Sequence, residues 1–135
     1  MKVIILAGGL GTRLSEYTKL VPKPMVHINN KPIIYYIMKH FSNYGYKDFY
    51  ILLGYKGKII KDYFKKKSFN WNVNLIDTGT KTMTGGRLKK IKKYLGNENF
   101  FLTYGDGISD VNLKNLLKFH NKKKKALVTM TAVRP

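Results

Sequence analysis

A chain of 135 residues, 44% of them apolar, is long enough for one domain with a real core and too short for two. It has no cysteine, which excludes disulfides, zinc–thiolate sites and a cysteine nucleophile, and no apolar run of the roughly 18 residues that a membrane helix needs. The 26 basic residues against 7 acidic ones give a formal charge of +19, a field that attracts polyanions. Only Arg13, Arg87 and Arg134 carry the guanidinium fork that base and phosphate readout favours, so nucleic acid is the minority expectation. The lysines fall mainly in runs, at 65–67 and 122–125, which read as solvated helix ends.

In chain order, residues 2–6 (KVIIL) form the first expected strand. The apolar run breaks at Gly8-Gly9 and its basic residues follow it, so it reads as a strand of a cytoplasmic protein rather than an export signal. Pro32 opens a helix whose stripe is Ile33, Ile34, Ile37, Met38 and Phe41. A strand over 49–53 precedes a helix carrying Ile59, Ile60, Tyr63 and Phe64. A strand over 73–76 follows, then a helix with Thr84 as cap and Leu88, Ile91 and Leu95 on its inner face. A strand over 100–104, a helix capped by Asp110 with Leu113, Leu116 and Leu117 inward, and a strand over 127–132 complete the expected order. Strands that are continuous apolar runs, alternating with helices, point to an open, mostly parallel α/β sheet with helices on both faces.

Ligands of such sheets bind beyond the carboxyl ends of the strands. That rule makes neighbours of the loop after Leu6, the segment after Ile76 and the loop after Tyr104. The first, within LAGGLGTRLSEYTKLVPKPM (residues 6–25), is neither a P-loop nor a dinucleotide fingerprint. It offers backbone amides beside Arg13, with Lys23 held between two prolines, and two cations at an amide nest suit a polyphosphate. The third, TYGDGISD, sets Asp106 between glycines at a strand end, where one carboxylate can hold a magnesium ion shared with substrate phosphates. An Asp-Gly turn is the plainer reading of the same residues. The second, DTGTKTMTGGRL, offers bare amides at Thr84-Gly85-Gly86 to a base edge or a phosphate. No paired carboxylates and no Ser-His-Asp set are visible, and His27, His40 and His120 show no ligand spacing. That absence fits a reaction whose nucleophile is already a phosphate oxygen.

With these pieces in place, ILAGGLGTRLSE and PKPMV resemble the signature of the sugar-phosphate nucleotidyltransferases. DTG, MTGGRLK and FFLTYGDGISD, with KPIIYYIMKH and GYKGKIIKDYF, are most similar to the branch that uses CTP and glucose 1-phosphate. The resemblance runs from Met1 to about Ala132. It implies the Rossmann-like fold of nucleotide-diphospho-sugar transferases and the formation of CDP-glucose and pyrophosphate, with Mg²⁺, for polysaccharide synthesis. By the motif, Leu6, Ala7, Gly8, Gly9, Leu10, Gly11, Thr12 and Arg13 surround the nucleotide. Lys23 meets its phosphates, and Arg13 and Lys23 serve catalysis. Lys81 and Gly86 approach the nucleotide, Gly105 lines the site and Asp106 binds the metal.

The resemblance further implies that 1–135 is the nucleotide-binding N-terminal part, with the sugar-binding half beyond it, a weak catalyst alone and a homo-oligomer when complete. The segment between Phe64 and Trp71 is shorter than in that branch. The other expectations kept open are a nucleotide-binding module without turnover and a member using a different nucleoside triphosphate.

Overall fold

The structure is a computed structural model that describes residues 1–9, 20–123 and 125–133. Four strands form one parallel sheet: β1 (Val3–Ala7), β4 (Asp48–Leu53), β5 (Asn72–Asp77) and β6 (Phe101–Tyr104), in the order β5-β4-β1-β6. In register, Val3 lies between Phe49 and Phe101, and Phe49 in turn lies beside Val73. β2 (His27–Ile28) and β3 (Lys31–Pro32) make a small antiparallel hairpin. Asn29 and Asn30 turn it with φ of 46° and 64°. Two central residues in the left-handed region match the twist of flanking strands, and asparagine tolerates that region better than most residues.

The helices are α1 (Ile33–Asn43), α2 (Gly57–Lys65), α3 (Thr84–Lys90), α4 (Lys92–Leu95) and α5 (Leu113–Lys122). All five residues of β1 are buried, because alternate side chains enter cores on opposite faces. Val3, Ile5 and Ala7 meet Phe49, Ile51 and Leu53, covered by Ile34, Ile37, Met38 and Phe41 of α1, Ile60 of α2 and Leu113 of α5. Ile4 and Leu6 meet Leu52 on the other face, covered by Ile91 with Leu88 and Leu95 of α3 and α4. Helices on both faces of an open parallel sheet are therefore what the apolar runs require.

Local signals differ from expectation at four points. Pro32 is the residue before α1, extended at φ −68° and ψ 153°, and so precedes the first turn rather than opening it. Met83 precedes α3 and Thr84 is already helical, with no side-chain cap bond. Asn112, not Asp110, caps α5, its side-chain oxygen accepting from the Asn115 N–H at 3.0 Å. The expected strand over 127–132 is absent, and Leu127, Val128 and Met130 are 96%, 74% and 83% exposed. Apolar content gives a segment strand propensity, but a strand exists only when a neighbour takes its hydrogen bonds. Here the tie is a side-chain one, between His120 Nδ1 and Thr129 Oγ1 at 2.8 Å.

Candidate nucleotide site

From β1 the chain steps outward through β4 to β5, then returns to place β6 on the opposite side of β1. The direction of progress reverses between β1 and β6, and the crevice of an open α/β sheet lies at the carboxyl end of such a switch. Gly8 and Gly9 end one wall of it, and Gly105 and Asp106 end the other. The Gly105 N–H donates to the Leu6 carbonyl at 2.9 Å, carrying the ladder one residue past β6. A Cβ on Gly105 would sit 2.9 Å from Pro24 Cγ and 3.2 Å from the Leu6 oxygen, so only glycine lets the 22–25 segment close over this point.

That segment holds a 3₁₀ turn, Lys23–Met25, preceded by buried Pro22 and containing buried Pro24. The prolines fix φ, and Met25 N–H bonds the Pro22 carbonyl at 2.8 Å. The constrained turn aims Lys23 across the crevice, where its Nζ stands 3.8 Å from Asp106 Oδ2. An ammonium and a carboxylate at that spacing are near the limit of an ion pair, with side chains 20% and 39% exposed. Such a pair binds itself weakly and leaves both charges available to a third group.

The opposite shoulder of the Gly8 turn is organised by Arg87, which motif reading did not single out. It is 5% exposed, the one buried charged side chain among the described residues. Its Nη2 donates to the Gly8 carbonyl at 2.9 Å, and its Nη1 to the Leu53 carbonyl at 2.8 Å and to Thr78 Oγ1. Thr78, itself fully buried, donates to the same Leu53 carbonyl at 2.7 Å. Desolvation lowers the guanidinium pKa from its ordinary value and nearby Asp77 offsets part of this, yet an arginine stays protonated. The available signal was that a chain so dominated by lysine spends an arginine directly after Gly85-Gly86.

Of the other expected residues, Leu6 and Ala7 are buried and support the crevice from the sheet. Gly9 is exposed at its lip. Gly86 lies in the first turn of α3, which Arg87 ties to Gly8, and Lys81 is exposed in the preceding loop, outside the Lys23–Asp106 pair. Leu10, Gly11, Thr12 and Arg13 lie outside the described residues. Among the described residues no three His, Cys, Asp or Glu side chains converge as a metal site. Asp106 alone, a hard oxygen donor open to solvent, fits a Mg²⁺ that takes its remaining ligands from water and phosphates rather than an ion enclosed by protein. Also among the described residues, no helix is long and apolar enough to cross a membrane.

The sequence matches the nucleotidyl transferase family over residues 2–135. It is 47% identical over 155 aligned positions to the glucose-1-phosphate cytidylyltransferase of Salmonella typhimurium, covering 97% of this chain and 60% of that protein. It is 37% identical over 116 positions to the D-glycero-alpha-D-manno-heptose 1-phosphate guanylyltransferase of Campylobacter jejuni, covering 86% and 52%. The crystal structure of HddC from Yersinia pseudotuberculosis complexed with GMP-PN matches with a TM-score of 0.79 at 34% identity, covering 87% of this chain and 53% of that one. The chain thus spans at most 60% of the length of these relatives.

Proposed function

Since the chain belongs to the nucleotidyl transferase family, we propose that its β1/β6 crevice binds a nucleoside triphosphate with Mg²⁺. On this reading residues 1–135 are the nucleotide-binding part of an enzyme that makes CDP-glucose and pyrophosphate from CTP and glucose 1-phosphate. The observation that carries it is the Lys23–Asp106 pair, 3.8 Å apart across the switch-point crevice. The choice of CTP draws its support from the 47% identity to a glucose-1-phosphate cytidylyltransferase.

In the proposed reaction an oxygen of the sugar phosphate attacks the α-phosphorus. The bond from that phosphorus to the α–β bridging oxygen breaks, and pyrophosphate leaves with the electron pair. The attacking oxygen is already ionised, so positioning and charge neutralisation are required rather than a general base. Lys23 meets the triphosphate, the amides from Gly8 onward cradle it, and Arg13 offsets charge growing on the pyrophosphate. Asp106 would hold Mg²⁺, which when bound neutralises charge shared among the phosphates. Gly86 and Lys81 would face the nucleoside from the α3 side, and the sugar contacts would come from beyond this chain.

A second reading, GTP as the nucleotide, has its own support in the 37% identity to a guanylyltransferase. Titration calorimetry with Mg²⁺ and each of CTP, GTP, ATP and UTP separates the two. CTP is expected to bind the chain with the highest affinity. Preference for GTP would move the assignment to the second reading, equal affinity for all four would remove base choice, and no binding of any would remove the crevice as a nucleotide site.

A further inference from the structure

We infer that Arg87 is a positioning residue for the triphosphate: lodged in a slot between Gly8 and Gly54, its guanidinium sets the orientation of the Gly8–Gly9 peptide and so presents the Gly9 N–H to the ligand. The inference rests on the crevice being a triphosphate site.

The argument starts from the peptide unit. No cis bond occurs among the described residues, and in a trans peptide the C=O of one residue and the N–H of the next point in opposite directions on one rigid plane. The Gly8 carbonyl is drawn inward by Arg87 Nη2 at 2.9 Å and by the Tyr55 N–H at 3.4 Å. With the carbonyl pinned into the protein, the Gly9 N–H is turned outward to the lip, where Gly9 is exposed and an added Cβ would meet nothing within 4 Å among the described residues. A glycine peptide left unpinned samples many orientations, and ordering it would fall to the ligand.

The slot is shaped for this one side chain. A Cβ on Gly8 would overlap the guanidinium, and a Cβ on Gly54 would lie 2.7 Å from both Nη1 and the Gly8 oxygen. The planar fork also does what an ammonium does not: Nη2 reaches the end of β1 while Nη1 reaches the end of β4 and Thr78 beyond β5. Among the described residues its acceptors are two carbonyls and a hydroxyl, so there the charge is hydrogen-bonded but not neutralised by a bonded carboxylate. A buried, incompletely compensated cation directly under the amide turn raises the potential at the lip in favour of phosphate. Because Arg87 follows Gly86 in α3, the same side chain keys the phosphate turn to the helix proposed to face the nucleoside.

The test measures binding of inorganic tripolyphosphate and of CTP, each with Mg²⁺, to the wild-type chain and to Arg87→Lys, Arg87→Met and Gly8→Ala, with thermal unfolding of each. The expected loss of affinity for both ligands is about 10- to 100-fold, the range for a hydrogen bond to a charged group, with Arg87→Lys failing as Arg87→Met does. Gly8→Ala, which keeps the arginine but forces the carbonyl off it, is expected to lose as much, and adding Arg87→Met to it should bring little further loss. If Arg87→Met does not fold, Arg87→Lys and Gly8→Ala carry the comparison. Wild-type affinity in a folded Arg87→Lys, a lowered melting temperature with unchanged tripolyphosphate binding, or additive losses in the double variant would each overturn the role. Failure of the wild-type chain itself to bind either ligand would remove the triphosphate reading and this inference with it.

Discussion

Phe49→Ala is expected to lower the unfolding free energy by about 3–5 kcal/mol, the range for truncating a fully buried aromatic residue. Phe49 is 0% exposed near the start of β4, in register between Val3 and Val73. Its ring centroid lies 5.7 Å from that of Trp71 at 69°, an edge-to-face contact. Trp71 is itself held by a 2.9 Å hydrogen bond from Nε1 to Ser42 Oγ, so it is not free to slide into the space left behind. A cavity that does not collapse gives the upper part of the range. Against a typical total of about 5–15 kcal/mol, the variant would be only marginally folded. Urea unfolding is the measurement, with Leu20→Ala, 78% exposed, as a control expected to shift stability by less than about 0.5 kcal/mol. A loss under about 1 kcal/mol for Phe49→Ala would mean the two-faced core is not built around β4 as described.

On the proposed reading, Arg13→Ala in a catalytically complete form of the enzyme is expected to lower kcat by about 10²–10³ with a smaller change in KM. Negative charge on the departing pyrophosphate grows toward the transition state, so a cation placed there acts on kcat more than on ground-state binding. Steady-state pyrophosphate release from CTP and glucose 1-phosphate reads both constants. A rise confined to KM would make Arg13 a binder of the resting triphosphate, leaving charge on the leaving group to Lys23 and the metal.

Much of the sheet was legible because its two central strands, β1 and β4, are largely buried. VIILA has no polar residue to confuse strand with surface, and the α1 stripe repeats at helical spacing. The carboxyl-end rule also named Lys23 and Asp106 as neighbours, since each follows a strand closing on the same crevice. Their 3.8 Å approach was not legible, because it depends on how tightly the Pro22–Pro24 turn folds over Gly105.

Arg87 was missed for a related reason. Besides the Thr78 hydroxyl, its partners are main-chain carbonyls at Gly8 and Leu53, which every residue type possesses, so no side-chain pattern marks them. The third expected helix is two, with Ile91 at φ −99° and ψ 5° between α3 and α4. Leu88, Ile91 and Leu95 still face one core, which is why apolar spacing alone read them as continuous. The Asn29-Asn30 hairpin has strands of two residues each, too short for any periodicity to register.

Among the described residues β6 pairs only with β1, and Leu102 and Tyr104 stand 44% and 60% exposed beside its free edge. A bare edge of this kind invites lateral accretion of strands from other copies. The opposing barrier is the +19 charge that each copy carries. Strand addition needs an approach to about 4.8 Å, whereas the screening length shrinks from about 30 Å at 0.01 M salt to about 8 Å at 0.15 M. Raising ionic strength, the usual remedy for a sticky basic protein, therefore removes the repulsion that keeps these edges apart. The colloidal lifetime of this chain should be longest in dilute buffer and should shorten as salt is added.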